Sequence, residues 1–239
     1  MADDKQVKAA IVDYGLGNLF SVKQACQHVG MQAHITSCKK DILSADVVIL
    51  PGVGAYGDAM AALRKRDLIC PLQDIAQSET LLVGICLGLQ LLMTESGEFG
   101  THLGLNIIDG VVMRFENPVD RFGITEGEPA RKLKVPQIGW NRIYQTAASR
   151  PLENEENPKW SASPLAGLPD GEFMYFVHSY YVCPEDKDLI LSTSQYGQIQ
   201  FCSSLQRDNI FACQFHPERS GQRGLHIYRN IAALAENRG

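Results

Sequence analysis

The chain has 239 residues, of which 45% are hydrophobic and 21% are charged, an ordinary composition for a globular protein with one sizeable core. The formal net charge is -5, which disfavours a general nucleic-acid binder or a binder of acidic membranes. The seven cysteines include no CxxC pair, so the sequence encodes neither a zinc ribbon nor a thioredoxin motif. No signal peptide and no membrane-spanning run is visible, and we therefore expect a reducing, cytoplasmic compartment.

The first half of the chain alternates short apolar runs with amphipathic segments. The apolar runs predict buried strands at residues 7–12, 47–50 and 81–85. The segments between and after them predict helices at residues 22–29, 57–66 and 87–93. Continuous apolar strands that alternate with helices indicate a parallel sheet covered on both faces.

The second half is richer in strands than in helices. Strands are predicted at residues 107–115, 141–145, 173–182, 198–205 and 210–214, and a closing helix at 224–237. The sequence therefore predicts a single α/β domain over residues 1–239, with a mostly parallel central sheet, flanking helices and an antiparallel or mixed extension of that sheet. Two polar segments, near 116–134 and 146–170, are interpreted as surface insertions.

The strongest local signal is a cysteine between two glycines, in Gly84-Ile85-Cys86-Leu87-Gly88. It directly follows a predicted strand and opens a predicted helix, which is the nucleophile-elbow pattern with cysteine in place of serine. The glycines leave room for a strained backbone, and the helix N-terminus favours a thiolate over a thiol. A buried core cysteine is the alternative, since free cysteines are commonly buried.

A thiolate nucleophile needs a base, and the base needs a group that orients it. Gln214-Phe215-His216-Pro217-Glu218 supplies His216 and Glu218 just after the last predicted strand, two residues apart and separated by a rigid proline. This spacing can bring a carboxylate beside the imidazole. Taken alone, the motif is better explained as a surface turn that has no catalytic partner.

A glycine-rich loop follows the second predicted strand, in Pro51-Gly52-Val53-Gly54-Ala55-Tyr56-Gly57. Its spacing matches the dinucleotide fingerprint, but the acidic strand end expected about 20 residues further on is missing. The preferred interpretation is a loop whose backbone N–H groups form an oxyanion hole, with glycines that permit a peptide flip.

With these elements in chain order, the sequence resembles the class I (triad) glutamine amidotransferases. Within them it is similar to the glutaminase subunits of imidazole glycerol phosphate synthases, and the matching motifs span nearly the whole chain. They are the elbow extended to Leu92, the glycine-rich loop, the motif that ends at Glu218, Asp13-Tyr14-Gly15-Leu16-Gly17-Asn18-Leu19, Pro136-Gln137-Ile138-Gly139-Trp140-Asn141 and Phe176-Val177-His178-Ser179-Tyr180.

The resemblance implies a role for individual residues of this sequence. Cys86 would be the nucleophile, His216 the base and Glu218 its orienting carboxylate. The oxyanion hole would be formed at Gly52, Val53 and Leu87. Glutamine would be held by Gly54, Gln90, Glu98, His178, Ser179 and Tyr180. Partner-facing positions would be Asn18, Trp140, Tyr175 and Arg219.

The resemblance also implies the reaction and its partner. Cys86 would attack the side-chain amide of glutamine, and the ammonia released would pass to a cyclase subunit with a (β/α)8 barrel, in a heterodimer. Neither a metal nor a cofactor would be needed, and neither a nucleic acid nor a membrane would be bound.

Several alternatives remain open at this point. Core packing is the alternative for Trp140 and Tyr175, and a structural histidine is the alternative for His178. Arg219 stands where the family usually has lysine, which keeps the charge but not the geometry. This change and the two polar segments leave open a paralogous glutaminase that supplies a sugar amidotransferase of surface polysaccharide biosynthesis. A standalone cysteine hydrolase and an inert regulatory subunit are further alternatives.

Overall fold

The computed structural model describes residues 6–120, 130–146 and 158–238. The described strands are β1 (Lys8–Val12), β2 (Gln32–Thr36), β3 (Val47–Gly52), β4 (Leu81–Cys86), β5 (Met93–Ser96), β6 (His102–Leu103), β7 (Ile108–Arg114), β8 (Val119–Asp120), β9 (Arg131–Lys132), β10 (Gln137–Gln145), β11 (Glu172–His178), β12 (Tyr180–Pro184), β13 (Ile190–Tyr196), β14 (Ile199–Arg207) and β15 (Ile210–Cys213). The helices are α1 (Leu19–His28), α2 (Lys39–Leu43), α3 (Tyr56–Lys65), α4 (Ile69–Ala76), α5 (Leu87–Leu91), α6 (Pro158–Ser161) and α7 (Gly221–Glu236). Two 3₁₀ turns cover Lys187–Leu189 and Pro217–Arg219.

The main sheet contains nine strands among the described residues, in the order β11-β10-β13-β14-β15-β4-β3-β1-β2. Strands β15, β4, β3, β1 and β2 pair in parallel. Strands β11, β10, β13 and β14 extend this unit by antiparallel pairing, up to the contact of β14 with β15. The predicted fold class, a mostly parallel sheet with an antiparallel extension, is confirmed.

Alternate residues of the parallel strands point to opposite faces of the sheet, as the period of a strand requires. Ile49 and Val83 lie in one apolar cluster, together with buried residues of α1 and α7. Val48 and Leu82 lie in a second cluster, together with buried residues of α3 and α4. Helices therefore cover both faces, which explains why these strands are almost uniformly apolar.

Two strand predictions differ from the structure. The strand predicted at 107–115 does not extend the main sheet, because β7 pairs with β5 and β12 in a separate four-stranded sheet. The strand predicted at 173–182 is two strands, β11 in the main sheet and β12 in the smaller one. Apolar residues continue across Ser179, so the periodicity alone does not reveal that the chain changes sheets there.

The two predicted surface insertions are described only in part, since residues 121–129 and 147–157 lie outside the described ranges. In the first, β8 and β9 form a short antiparallel pair. In the second, Trp160, Leu165 and Leu168 are buried in the same apolar cluster as α1 and α7. The described end of the second segment is therefore part of the core, which corrects the prediction of a surface loop there. No helix in the described ranges is both long enough and apolar enough to span a membrane.

Candidate active site

The candidate site lies where several parallel strands end. Gly52 is the last residue of β3, Cys86 is the last residue of β4, and His216 follows the end of β15. Gly52 and Cys86 are direct partners in the register of the sheet. The carboxyl ends of parallel strands meet at one edge of a sheet, which is where α/β proteins bind their ligands.

Cys86 occupies a strained turn between β4 and α5. Its backbone has φ 55° and ψ -109°, a left-handed conformation that L-residues rarely adopt. Of the two flanking glycines, Gly88 is a strict steric requirement, and Gly84 leaves little room for a side chain. A Cβ at Gly88 would lie 1.8 Å from the carbonyl oxygen of Leu50, and a Cβ at Gly84 would lie 3.1 Å from Cβ of Ala212. This is the geometry of a nucleophile elbow.

His216 and Glu218 form a buried pair. His216 Nδ1 lies 2.8 Å from Glu218 Oε1, and the two side chains are 4% and 1% exposed. Burial lowers the pKa of His216, but the negative charges of Cys86 and Glu218 outweigh burial and raise this pKa to about 10. The imidazole therefore retains its proton at neutral pH.

The sulfur of Cys86 has two polar neighbours besides His216. Sγ lies 3.9 Å from the carbonyl oxygen of Val177 and 3.5 Å from Nε2 of Gln214. His216 Nε2 is buried and no acceptor within the described ranges meets hydrogen-bond geometry with it, but the imidazole is close enough to the sulfur for Cys86 to raise its pKa.

The glycine-rich loop is held against the elbow. The Tyr14 hydroxyl donates a hydrogen bond to the Pro51 carbonyl over 2.8 Å. A Cβ at Gly52 would lie 2.3 Å from this hydroxyl oxygen and 2.9 Å from Cβ of Leu87, so only glycine fits there. Gly54 has φ +103°. The loop thus lies beside the cysteine, which favours the oxyanion interpretation over the dinucleotide one.

A pocket of about 240 Å³ opens next to the cysteine. Glu98 stands on its wall and also accepts a hydrogen bond from the backbone N–H of Tyr56, the first residue of α3. The pocket therefore brings a carboxylate, the glycine-rich loop and the thiol into one cavity. Nine residues predicted for the site line it: Val53, Gly54, Cys86, Leu87, Gln90, Glu98, His178, Ser179 and Tyr180.

His178 lines the pocket as a neutral ring. Its Nδ1 lies 2.8 Å from the Tyr180 carbonyl oxygen, which can only accept, so Nδ1 carries the proton. Burial lowers the pKa of His178 to about 4. Its Nε2 is then an acceptor, and it has no hydrogen-bond partner among the described residues.

Three of the four residues predicted to face a partner lie together. Trp140 and Tyr175 are partners across β10 and β11, with ring centroids 6.0 Å apart. The guanidinium of Arg219 lies 4.7 Å from the centre of the Tyr175 ring. Trp140 is 57% exposed, so core packing, the alternative for this residue, is wrong. The fourth residue, Asn18, is not part of this group in the sequence and directly precedes α1.

Two residues of the site had no predicted role. Gln214 is a fully buried amide next to the sulfur, and Tyr14 holds the glycine-rich loop. The sequence does contain a signal for Gln214, a polar residue directly after the apolar run of β15. Tyr14 belongs to the motif at residues 13–19, but that motif does not reveal its contact with Pro51, which joins residues 37 positions apart.

Comparison with known proteins identifies the class to which this fold and site belong. The sequence model of the family described as "Glutamine amidotransferase class-I" matches residues 10–233. A solved structure described as PurLQS from Thermotoga maritima is similar in fold, with a TM-score of 0.66 and 17% identity over 95% of this chain and 97% of that one.

Curated relatives narrow the class further. The protein named imidazole glycerol phosphate synthase subunit HisH of Syntrophotalea carbinolica is 44% identical over 94% of this chain and 98% of its own length. The protein of the same name from Geobacter sulfurreducens is 40% identical over 95% of this chain and 99% of its own length. The chain therefore belongs to the class-I glutamine amidotransferases and, among them, to the family of imidazole glycerol phosphate synthase subunit HisH.

Proposed function

We propose that this chain hydrolyses glutamine to glutamate and ammonia as the glutaminase subunit of an imidazole glycerol phosphate synthase, in histidine biosynthesis. The observation that carries the proposal is the strained Cys86 beside the buried His216–Glu218 pair, in a chain that belongs to the HisH family. The sugar-amidotransferase alternative is not favoured, because relatives at 40–44% identity carry the HisH name.

The first half of the reaction forms a thioester. Sγ of Cys86 attacks the side-chain amide carbon of glutamine, and negative charge develops on the amide oxygen. Val53 and Leu87 line the pocket, and their backbone N–H groups are proposed to stabilise that oxygen. The His216 imidazolium gives its proton to the departing amine, and ammonia leaves. Glu218 fixes the ring by accepting from Nδ1, so that Nε2 is the atom that transfers the proton.

The second half releases glutamate. His216, now neutral, takes a proton from a water molecule that attacks the thioester, and the thiolate of Cys86 is regenerated. One glutamine and one water thus give one glutamate and one ammonia. The negative charge of Glu98 suits the α-ammonium group of the substrate, and the neutral His178 adds no charge that would repel this group.

The proposed partner surface is the exposed face of β10 and β11. Across the two strands, Ile138 pairs with Val177 and Trp140 pairs with Tyr175. Ile138 and Trp140 are 64% and 57% exposed, and contiguous apolar side chains of this kind mark protein-interaction sites. We propose that a cyclase subunit with a (β/α)8 barrel binds here and takes up the ammonia.

The cytoplasmic location remains a prediction from the use of cysteine.

The test is glutamate release by the purified chain, with and without a cyclase subunit of imidazole glycerol phosphate synthase and its nucleotide ligand. We expect release that rises with the liganded cyclase and disappears in Cys86→Ala. The matched control is Cys70→Ala, which removes an exposed thiol on α4 and leaves the rate unchanged.

Two results would contradict parts of the proposal. If glutamate release never responded to the cyclase, the glutaminase activity would still stand, but this synthase would be excluded as the partner. Absence of release under all conditions, in a folded protein, would exclude the glutaminase itself.

A further inference from the structure

Gln214 is placed to act on the sulfur of the nucleophile. It follows β15 directly, its side chain is fully buried, and its Nε2 lies 3.5 Å from Cys86 Sγ. Its backbone is also fixed, because Gln214 N–H donates to the Ser203 carbonyl over 2.9 Å. A buried polar side chain held at this distance from a reactive atom points to a role in the chemistry.

The hydrogen-bond network decides which end of the amide faces the sulfur. Gln90 Nε2 lies 3.0 Å from the Tyr180 carbonyl oxygen, which can only accept, so the amino group of Gln90 is fixed as the donor at this point. The same amino group lies 3.0 Å from Gln214 Oε1. If the Gln214 amide were turned over, its amino group would face the amino group of Gln90, and both groups are donors. The amino group of Gln214 must therefore face Cys86.

We propose that Gln214 is a further catalytic residue, whose side-chain amide donates a hydrogen bond to Cys86 Sγ and stabilises the thiolate before it attacks. The proposal rests on the proposed function, in which Cys86 is the nucleophile. A hydrogen bond to a charged acceptor is stronger than one to a neutral acceptor, so the donor favours the thiolate over the thiol. Gln90 supports this indirectly as a positioning residue, by holding Gln214 Oε1.

The stabilisation increases reactivity even though it makes each thiolate a weaker nucleophile. A change that raises the thiolate fraction tenfold lowers the intrinsic nucleophilicity only about threefold, since the Brønsted slope is about 0.4–0.5. The donor is also in place before substrate arrives, so no reorganisation is needed at the moment of attack.

The test is the pH profile of Cys86 alkylation by iodoacetamide, measured by mass spectrometry of the Cys86 peptide because the chain has seven cysteines. Gln214→Met keeps the length of the side chain and removes the donor. We expect its alkylation midpoint to move up by about one pH unit, and the rate near pH 7 to fall correspondingly. The matched control is Gln73→Met, which removes an amide that donates to the Leu105 carbonyl away from the pocket.

A second variant keeps the inference testable if Gln214→Met does not fold. Gln90→Met leaves Gln214 in place but frees its amide to turn, and we expect a smaller upward shift of the same midpoint. An unchanged midpoint in folded Gln214→Met, or in Gln90→Met if that is the only folded variant, would overturn the inference. Because iodoacetamide needs no glutamine site, this profile can be measured even if the chain releases no glutamate, so the two failures are distinguishable.

Discussion

At the scale of single residues, the elbow depends on the absence of a side chain at Gly88. A Cβ there would lie 1.8 Å from the Leu50 carbonyl oxygen, a backbone atom of the adjacent strand β3 that cannot move aside alone. We expect Gly88→Ala to lower the free energy of unfolding by about 3 kcal/mol or more, or to prevent folding. Gly97→Ala is the control, because a Cβ at Gly97 would meet nothing within 4 Å. Equal stability of the two variants in urea unfolding would contradict this account.

His178 links the site to the pH dependence of stability. Burial holds its pKa near 4 in the folded protein, below the ordinary value of 6.5. The unfolded chain therefore binds a proton between these values that the folded protein does not, so stability falls as pH falls from 6.5 to 4. The contribution is about 3 kcal/mol. We expect His178→Gln to flatten the curve of unfolding free energy against pH in this window, and an unchanged slope would contradict the assignment.

At the scale of elements, a ring of hydrogen bonds ties β11 to the 3₁₀ turn that follows His216. The N–H of His216 donates to the Tyr175 carbonyl over 2.9 Å. The N–H of Tyr175 donates to Ser220 Oγ over 3.0 Å, and this hydroxyl donates to the His216 carbonyl over 2.7 Å. Tyr175 lies on the proposed partner surface, so the ring connects that surface to the base.

We expect Ser220→Ala to break this ring. The change leaves the partly buried Tyr175 N–H without its partner and removes one of the two hydrogen bonds to the His216 carbonyl, which still accepts from the Arg219 N–H, at a cost of about 2 kcal/mol in unfolding free energy. Glutamate release should also respond less to the cyclase, while cyclase affinity changes little. Ser78→Ala is the control, because the exposed Ser78 hydroxyl likewise bridges the Ile75 carbonyl and the Thr80 N–H. A full response to the cyclase in Ser220→Ala would rule out the coupling.

The parallel half of the fold could be predicted because its elements are strongly patterned. β3 and β4 are continuous apolar runs, and α1 repeats its buried residues at Val22, Ala25 and Cys26. β2 is not predicted from the sequence. It lies at the edge of the sheet, its polar and apolar residues alternate, and only Ala33 is buried, so it lacks the continuous apolar run of β3 and β4. The change of sheet at Ser179 is also invisible in the sequence, since it depends on which distant strands compete for pairing.

The features of the site also fall into two groups, those encoded by neighbouring residues and those that join distant parts of the chain. The elbow and the His216–Glu218 pair are encoded within five residues each, so the sequence shows that the residues of each motif lie close together, although the spacing of His216 and Glu218 alone does not identify a catalytic base. The contact of Gln214 with Cys86 joins residues 128 positions apart, and its direction depends on Gln90. Such a contact requires the folded sheet, which brings β15 beside β4.

At the scale of the whole molecule, the two ends of the main sheet differ in character. β10 and β11 form one end and expose Ile138 and Trp140, whereas β2 forms the other end. The site lies near the middle, after β3, β4 and β15. The proposed partner surface is therefore joined to the site through β11, whose Val177 carbonyl lies 3.9 Å from Cys86 Sγ. Binding at one end of the sheet can thus reach the nucleophile along β11 and across this one non-covalent contact.

The two tryptophans allow this arrangement to be tested in solution. Trp160 is 3% exposed and Trp140 is 57% exposed, so Trp160→Phe leaves Trp140 as the only indole. We expect its fluorescence to shift to shorter wavelength when the cyclase subunit binds, because the ring leaves water. Trp140→Ala should weaken the complex by about 2 kcal/mol, or about 30-fold in Kd, without a comparable loss of unfolding free energy.

Leu43→Ala is the matched control for that loss of affinity. Leu43 is 49% exposed on α2, which packs beside β1 in the opposite half of the sheet, and its removal should leave cyclase affinity unchanged. If the Trp140→Ala and Leu43→Ala variants bound the cyclase subunit with equal affinity, the partner surface would not include the exposed face of β10. An unchanged Trp140 emission spectrum, in a complex shown by sedimentation to form, would also contradict this location. An indole covered by a partner cannot keep the emission spectrum of an exposed indole.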